Sequence, residues 1–351
     1  MDNLFKMIKD GKYKWDYYSR KKKNKLKENL CKNWDCEKEH KNFIDNFLEI
    51  AGKSNVLSHF TIEEIDRAIH INSVFFLGCI FYKKLCLENK IKFKRDNSKH
   101  DEFHFVWFLT SLVHDFGYSI EKKEDNDYRK IEDIVVSHNL LDKCKNKYLE
   151  NSYLNLTKNE KILVDNIKQY FKFRREKGKT DHGIYAGLNL YNSLLNNRKE
   201  RDEQKENETQ NLYWGKDLEE FYAIASYAIA THNMWRIKEG DKNVENYQKY
   251  GLCNLILDGK GIKKLSIEKE PFSFLLALID TLEPTKIYDC CKPKYVLENI
   301  DIQFCEKEIT IKNGEESKLD FEKLEKRAKG MESWLDLSVK LNNNEIIISV
   351  N

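Results

Sequence analysis

From the start of the chain to about residue 290, apolar residues recur at intervals of three and four, the spacing that lines one face of a helix. The clearest stretches are IDRAIHINSVFFLGCIFYKKL, EFHFVWFLTSLVHDFG, EKILVDNIKQYFKF, GIYAGLNLYNSLL, LEEFYAIASYAIATHNMW and FSFLLALIDTL. Some are apolar almost all round, which predicts helices enclosed by protein rather than lying on its surface. Between Asn197 and Asn211 the run NRKERDEQKENETQN carries no apolar residue and predicts a mobile excursion between two helices. After Pro293 the texture changes. YVLENIDIQFCEKEITIKN and LSVKLNNNEIIISV are rich in β-branched residues and alternate in part, which predicts strands, and FEKLEKRAKGMESW between them predicts a helix. The expected fold is mainly α: a helical bundle with a small C-terminal α+β appendage of β-β-α-β-β type. Residues 1–58 form an expected helical extension, 59–293 the main domain and 294–351 the appendage. The appendage holds no candidate catalytic cluster, so its expected role is structural or regulatory.

Composition narrows this picture. At 351 residues and 40% hydrophobic, the chain has apolar material for one large domain, or one domain plus a small appendage. Only 3 prolines and 14 glycines interrupt it, which favours long helices. Charged residues make up 34% of the chain, yet the net charge is only +3, so bulk charge argues for neither a membrane nor nucleic acid as partner. The basic run from Arg20, flanked by Tyr13, Trp15, Tyr17 and Tyr18, reads as a solvated helix face rather than a nucleic-acid contact. The opening MDNLFKMIKDGKYKW lacks the apolar core of a signal peptide, and the longest apolar run, Val74 to Tyr82, is far short of a membrane span. The 9 cysteines are odd in number and irregularly spaced, as expected for free thiols in a reducing compartment. The expected location is the cytoplasm.

Ionisable residues on four apolar helices sit where such residues are costly. His114 and Asp115 close the apolar helix WFLTSLVHDFGY, His70 lies between IDRAI and NSVFFLG, His232 ends YAIASYAIAT, and Asp280 is inside FSFLLALIDTL. An ionised Asp in such a helix needs a cation or donors to compensate it. One such residue is explained by a core hydrogen bond, but four on separate apolar helices, one of them a His-Asp doublet, point to a shared ion. Neighbouring helical residues point about 100° apart, so a doublet reaches one ion only in the groove between its two directions. Gly117 lets the helix end there. Imidazole nitrogen with carboxylate oxygen suits Mn, Fe, Zn or Mg. Cys31, Cys36 and His40 offer three ligands, one fewer than a structural zinc site uses.

The order His70, then His114-Asp115, then Asp280 resembles the H…HD…D signature of the HD superfamily of metal-dependent phosphohydrolases. RAIHINSVFFLG, WFLTSLVHDFGYSIEK and FLLALIDTLEP resemble its first, HD and last motifs. TDHGIYAGLNLY and AIATHNMW resemble the extra histidine motifs of its six-ligand members. The resemblance covers roughly residues 60 to 290 and implies an HD-type helical bundle there. It also implies one divalent ion on His70, His114, Asp115 and Asp280 and a second on His182 and His232, with Asp115 bridging. Ile71 stands where the family often has Ser. The Gly-Tyr-Pro signature of the cyclic-dinucleotide phosphodiesterases is missing near His182, which argues against that subgroup.

The resemblance implies hydrolysis of a nucleotide or other small phosphate ester by a metal-activated water, which Asp115 or Asp280 would orient. Two ions about 3.5–4 Å apart can clamp the attacking and leaving oxygens. Lys122 and Lys123, after the HD helix, and Arg174 and Arg175, before TDHG, are candidate phosphate contacts, with Lys122 also a catalytic candidate. The same ligands resemble those of the di-iron oxygenases of the superfamily. A catalytically idle nucleotide-binding sensor is the reading from a different class.

Overall fold

All three prolines of the chain begin helices in the computed structural model: Pro271, Pro284 and Pro293 each stand at a first helical position. There the missing N–H costs nothing and the fixed φ suits the helix. The structure describes residues 1–11, 25–50, 67–87, 102–118, 182–203, 218–233, 257–258, 261–262, 264–268 and 270–351. In chain order these form β1 (Asp2–Asn3), α1 (Leu4–Asp10), α2 (Lys25–Lys32), α3 (Glu37–Ile50), α4 (Ala68–Phe81) with a π-helical extension (Tyr82–Leu87), and α5 (Glu102–Val113). There follow α6 (His182–Glu203), α7 (Leu218–Thr231), the short strands β2 (Leu257–Asp258) and β3 (Gly261–Ile262), α8 (Pro271–Leu282), α9 (Pro284–Ile287) and α10 (Pro293–Glu298). The chain closes with β4 (Ile300–Cys305), β5 (Glu308–Asn313), α11 (Phe321–Met331), β6 (Leu337–Asn342) and β7 (Glu345–Val350).

The chain divides into two compact units. One comprises Met1–Ile50, Glu64–His104 and Leu265–Asn351, the other Ala51–Glu63 and Phe105–Lys264. In the first unit α4 is the central helix, and all of its residues are buried. The stretch Ala68–Cys86 is long and apolar enough to cross a membrane, but it is mostly packed against protein. Phe43 and Trp34 meet Phe76 of α4 at ring separations of 5.4 and 5.9 Å. Tyr82 stacks on Phe103 at 3.5 Å.

The C-terminal segment forms the expected β-β-α-β-β unit, preceded by the short helix α10. Its sheet is antiparallel with order β1-β4-β5-β7-β6, so a strand from the chain's own start completes it. Ile300, Ile302, Ile309, Ile311, Ile346 and Ile348 alternate onto the buried face. Phe321, Leu324, Ala328 and Met331 form the buried stripe of α11 at three- and four-residue spacing. Leu4, Leu77, Phe81, Ile279, Leu282, Ile302 and Leu324 pack around one common space. Strands, N-terminus and the His70 and Asp280 helices therefore share one core.

The excursion expected from Asn197 does not start there, because residues 197–203 are helical. α6 continues through Glu203, and residues 204–211 lie outside those described. Lys, Arg and Glu are good helix formers, so a charged run can extend a helix whose buried part lies upstream.

His40 is committed to packing. Its Nε2 donates to the carbonyl of Trp34 at 2.6 Å, and its Nδ1 accepts from Asn72 at 3.0 Å. Both ring nitrogens are used, which overturns the zinc option with Cys31 and Cys36. Burial pushes the His40 pKa down to about 4, below the ordinary 6.5. Between those values the unfolded chain binds a proton that the folded one refuses. Stability is complete above about pH 6.5 and is lost as pH falls toward 4, by on the order of 3 kcal/mol. Urea unfolding at pH 7 and pH 4.5 should show a smaller loss for His40→Gln than for wild type. Equal losses would show that His40 does not set this dependence.

Candidate metal centre

In the second unit, α5 ends at Val113 and the chain turns through His114, Asp115, Phe116 and Gly117. Gly117 is required by close approach, since a Cβ there would lie 2.5 Å from the carbonyl oxygen of His182. That contact sets the turn carrying Asp115 against the start of α6. α6 and α7 are likewise brought together by small residues. A Cβ at Gly183 would meet the His232 ring at 2.7 Å, and one at Gly187 would fall against the Ser226 carbonyl and Ala230. The pair Gly183 and Gly187, four residues apart on one helix face, lets the backbones approach. His182 and His232 thereby meet, with ring centroids 5.1 Å apart.

Asp115 Oδ1 lies 3.4 Å from His182 Nε2 and 3.7 Å from His114 Nε2. Ligand atoms of Asp115, His182 and His232 all lie within 4.8 Å of one another. Asp115 is 4% exposed and His114 is fully buried. The carbonyl-rich ends of helices fix the tautomers. His114 Nδ1 donates to the Ser111 carbonyl at 2.8 Å, and His232 Nδ1 donates to that of Ile229 at 2.6 Å. With Nδ1 holding the proton, each neutral ring presents a lone pair at Nε2. Asn233 Nδ2 lies 3.1 Å from Nε2 of both His182 and His232, so it must present its NH₂ group there. Asn233 therefore supplies hydrogens to lone pairs that a cation would take.

The donor set fits a divalent ion. Two ligands bonded at about 2.1 Å stand about 3.0 Å apart on an octahedral edge and about 3.4 Å apart on a tetrahedral one. The Asp115–His182 separation of 3.4 Å is such a bite. Backbone carbonyls orienting the far ring nitrogens are the usual support of metal-bound histidines. The C-termini of α5 and α7, ending at Val113 and Thr231, both meet this cluster, and helix C-termini favour cations.

In the first unit, α4 and α8 bring His70 and Asp280 together, with Nε2 to Oδ1 at 3.1 Å. This too matches a metal bite. His70 Nδ1 meets Glu283 Oε2 at 2.8 Å. Glu283 is the N-cap of α9 and accepts from the backbone of Thr285 and Lys286 and from the Thr285 hydroxyl. Lys286 Nζ lies 2.8 Å from the same Asp280 oxygen. Burial is the largest influence on His70 and opposes its charge, as does the Lys286 ammonium. The hydrogen bonds to Asp280 and Glu283 outweigh them, and its pKa lies above the ordinary value. For Glu283 burial works upward, but His70, Ser73 and the Thr285 amide hold its pKa below the usual range.

Of the expected ligands, the structure groups His70 with Asp280 in one unit and His114, Asp115, His182 and His232 in the other. Lys122, Lys123, Arg174 and Arg175 lie outside the described residues, as do His59, His100 and His138. His104 is buried with its ring edge-on to Tyr82. Asn233, Glu283 and Lys286 were not singled out in the sequence. Their neighbours were, since THN and LIDTLEPTK carry His232 and Asp280. No family model, curated protein or solved structure matches this chain.

Two outcomes follow. Gly183→Ala should press a methyl group on the His232 ring and weaken metal binding roughly tenfold to a hundredfold by calorimetry. Gly330→Ala, with open space around its Cβ, should leave binding unchanged. Lys286→Met should remove a cation competing for Asp280 and enlarge the thermal stabilisation produced by added Mn. A variant stabilised no more than wild type would exclude that competition.

Proposed function

We propose that this chain is a metal-dependent phosphohydrolase of the HD type, acting on a nucleotide or other small phosphate ester. Its metal ligands are the ordered set His70, His114, Asp115, His182, His232 and Asp280. The observation that carries the reading is the convergence of Asp115 and His232, both buried, with the half-buried His182 at the ends of three helices. These residues occupy the positions that the H…HD…H…H…D order assigns to ligands.

A divalent ion held there would acidify water and polarise a phosphorus–oxygen bond. The chain's own residues do the rest. His114 and His232 keep their protons on the carbonyl side, so their Nε2 lone pairs face the cluster. Asp115, beside the His182 ring, supplies a negative charge that burial would make costly without a cation. The first turn of α6 starts at His182, and the positive end of the helix dipole favours an anion such as a phosphate oxygen. Lys122, Lys123, Arg174 and Arg175 are assigned to phosphate binding on sequence grounds.

The test is hydrolysis of an activated phosphodiester and a nucleotide panel by protein loaded with Mn or Mg under strict anaerobiosis. Activity is expected, and Asp115→Ala should lose both hydrolysis and most bound metal. Inert anaerobic protein whose iron form consumes oxygen with a polyol or phosphonate would make the chain an oxygenase. Nucleotide binding without turnover in either form would make it a sensor.

A further inference from the structure

After α9 the chain makes a tight turn, Tyr288–Cys291, closed by the Cys291 amide donating to the Tyr288 carbonyl at 2.8 Å. This turn carries two adjacent free thiols, with Cys290 exposed and Cys291 half-buried. Their sulfurs lie 3.9 Å apart, so both side chains leave the backbone on one side. Both flanks are anchored. Tyr288 donates its hydroxyl hydrogen to the Asp320 carbonyl at 3.0 Å, and Pro293 starts α10, whose Lys294 amide is capped by Asp35 at 2.8 Å. Neither metal-ligand cluster uses this pair.

We propose that Cys290 and Cys291 form a bidentate site for a thiophilic divalent cation. Two thiolates bonded to one Zn²⁺ at about 2.3 Å stand about 3.8 Å apart at the tetrahedral angle. The observed 3.9 Å is therefore the separation that chelation requires, reached without moving the turn. A disulfide fits less well. Adjacent Cα atoms are held about 3.8 Å apart, below the usual disulfide span of about 4.4–6.8 Å, so the bond would be strained and readily reduced.

The electrostatics make binding depend on pH. Cys291 lies above the ordinary thiol range, first through burial and then through the hydrogen bond and charge of Cys290, while Lys323 pulls it down. Forming one thiolate opposes the second, and a bound cation removes that opposition. Binding forms two sulfur–metal bonds and breaks two S–H bonds, releasing two protons to solvent. The exposed Asp289 and water are available for the remaining positions, which makes this an open, exchangeable site rather than a closed structural one.

The test is cadmium titration of the full reduced chain, followed by the ultraviolet thiolate-to-cadmium charge-transfer band. Nitrogen and oxygen ligands do not produce this band, so the His/Asp clusters are silent. Wild type should develop the band, and so should Cys36→Ser/Cys144→Ser/Cys253→Ser/Cys305→Ser, which removes the other thiols exposed among the described residues and the two that lie outside them. Cys290→Ser/Cys291→Ser should lose it, and either single variant should bind roughly a hundredfold more weakly. With Zn bound, both cysteines should resist alkylation, read by peptide mass. A band that survives in the double variant, or unprotected alkylation of both residues in wild type, would overturn the proposal.

Discussion

A carboxylate or imidazolium inside apolar protein must be compensated where it stands, because surrounding hydrocarbon screens nothing. This chain buries Asp115, Asp280 and Glu283 together with His70, His114 and His232, on or beside helices whose other residues are almost all apolar. The first unit compensates them internally. Glu283 ends α8 and caps α9, and in doing so it accepts two backbone N–H groups, a hydroxyl and the His70 ring. Asp280 is balanced by His70 and Lys286. The short helix α9 is thus both a structural stop after α8 and the support for two candidate ligands.

The second unit compensates differently. His114 and His232 spend Nδ1 on carbonyls of the last turns of their helices, and this turns their acceptor nitrogens toward the cluster that holds the Asp115 carboxylate. Acceptors facing acceptors require either hydrogens, as from Asn233, or a cation. The arrangement depends on backbone approach. Only glycine at 117, 183 and 187 lets three chain segments come close enough for one-atom ligands to converge.

Much of this was legible in the chain. Apolar residues nearly all round α4 and α8 announced buried helices, and ionisable residues within such stretches marked His70, the His114–Asp115 pair, His232 and Asp280 before any coordinates. The C-terminal β-β-α-β-β pattern was equally plain, because period-two alternation of isoleucines leaves few other solutions. Other features left weak traces. The Asp2–Asn3 strand has no side-chain pattern, since it pairs through its backbone alone. The hairpin turn at Glu306 adopts positive φ without glycine or asparagine, so the usual turn signal is missing there.

Local pattern along the chain settles which segments are buried helices, where the four C-terminal strands lie and which residue types could bind a metal. Each of these follows from local periodicity or from the cost of an ionisable group in an apolar stretch. Which partner each group has is set by packing. It is what committed His40 to Asn72 and Trp34 instead of zinc, gave His70 to Glu283, set Lys286 on Asp280 and placed Asn233 between two imidazoles. The reason is physical. A lone pair is assigned by whichever donor lies within about 3 Å of it, and residues tens or hundreds of positions apart in the chain reach that distance only when helices pack.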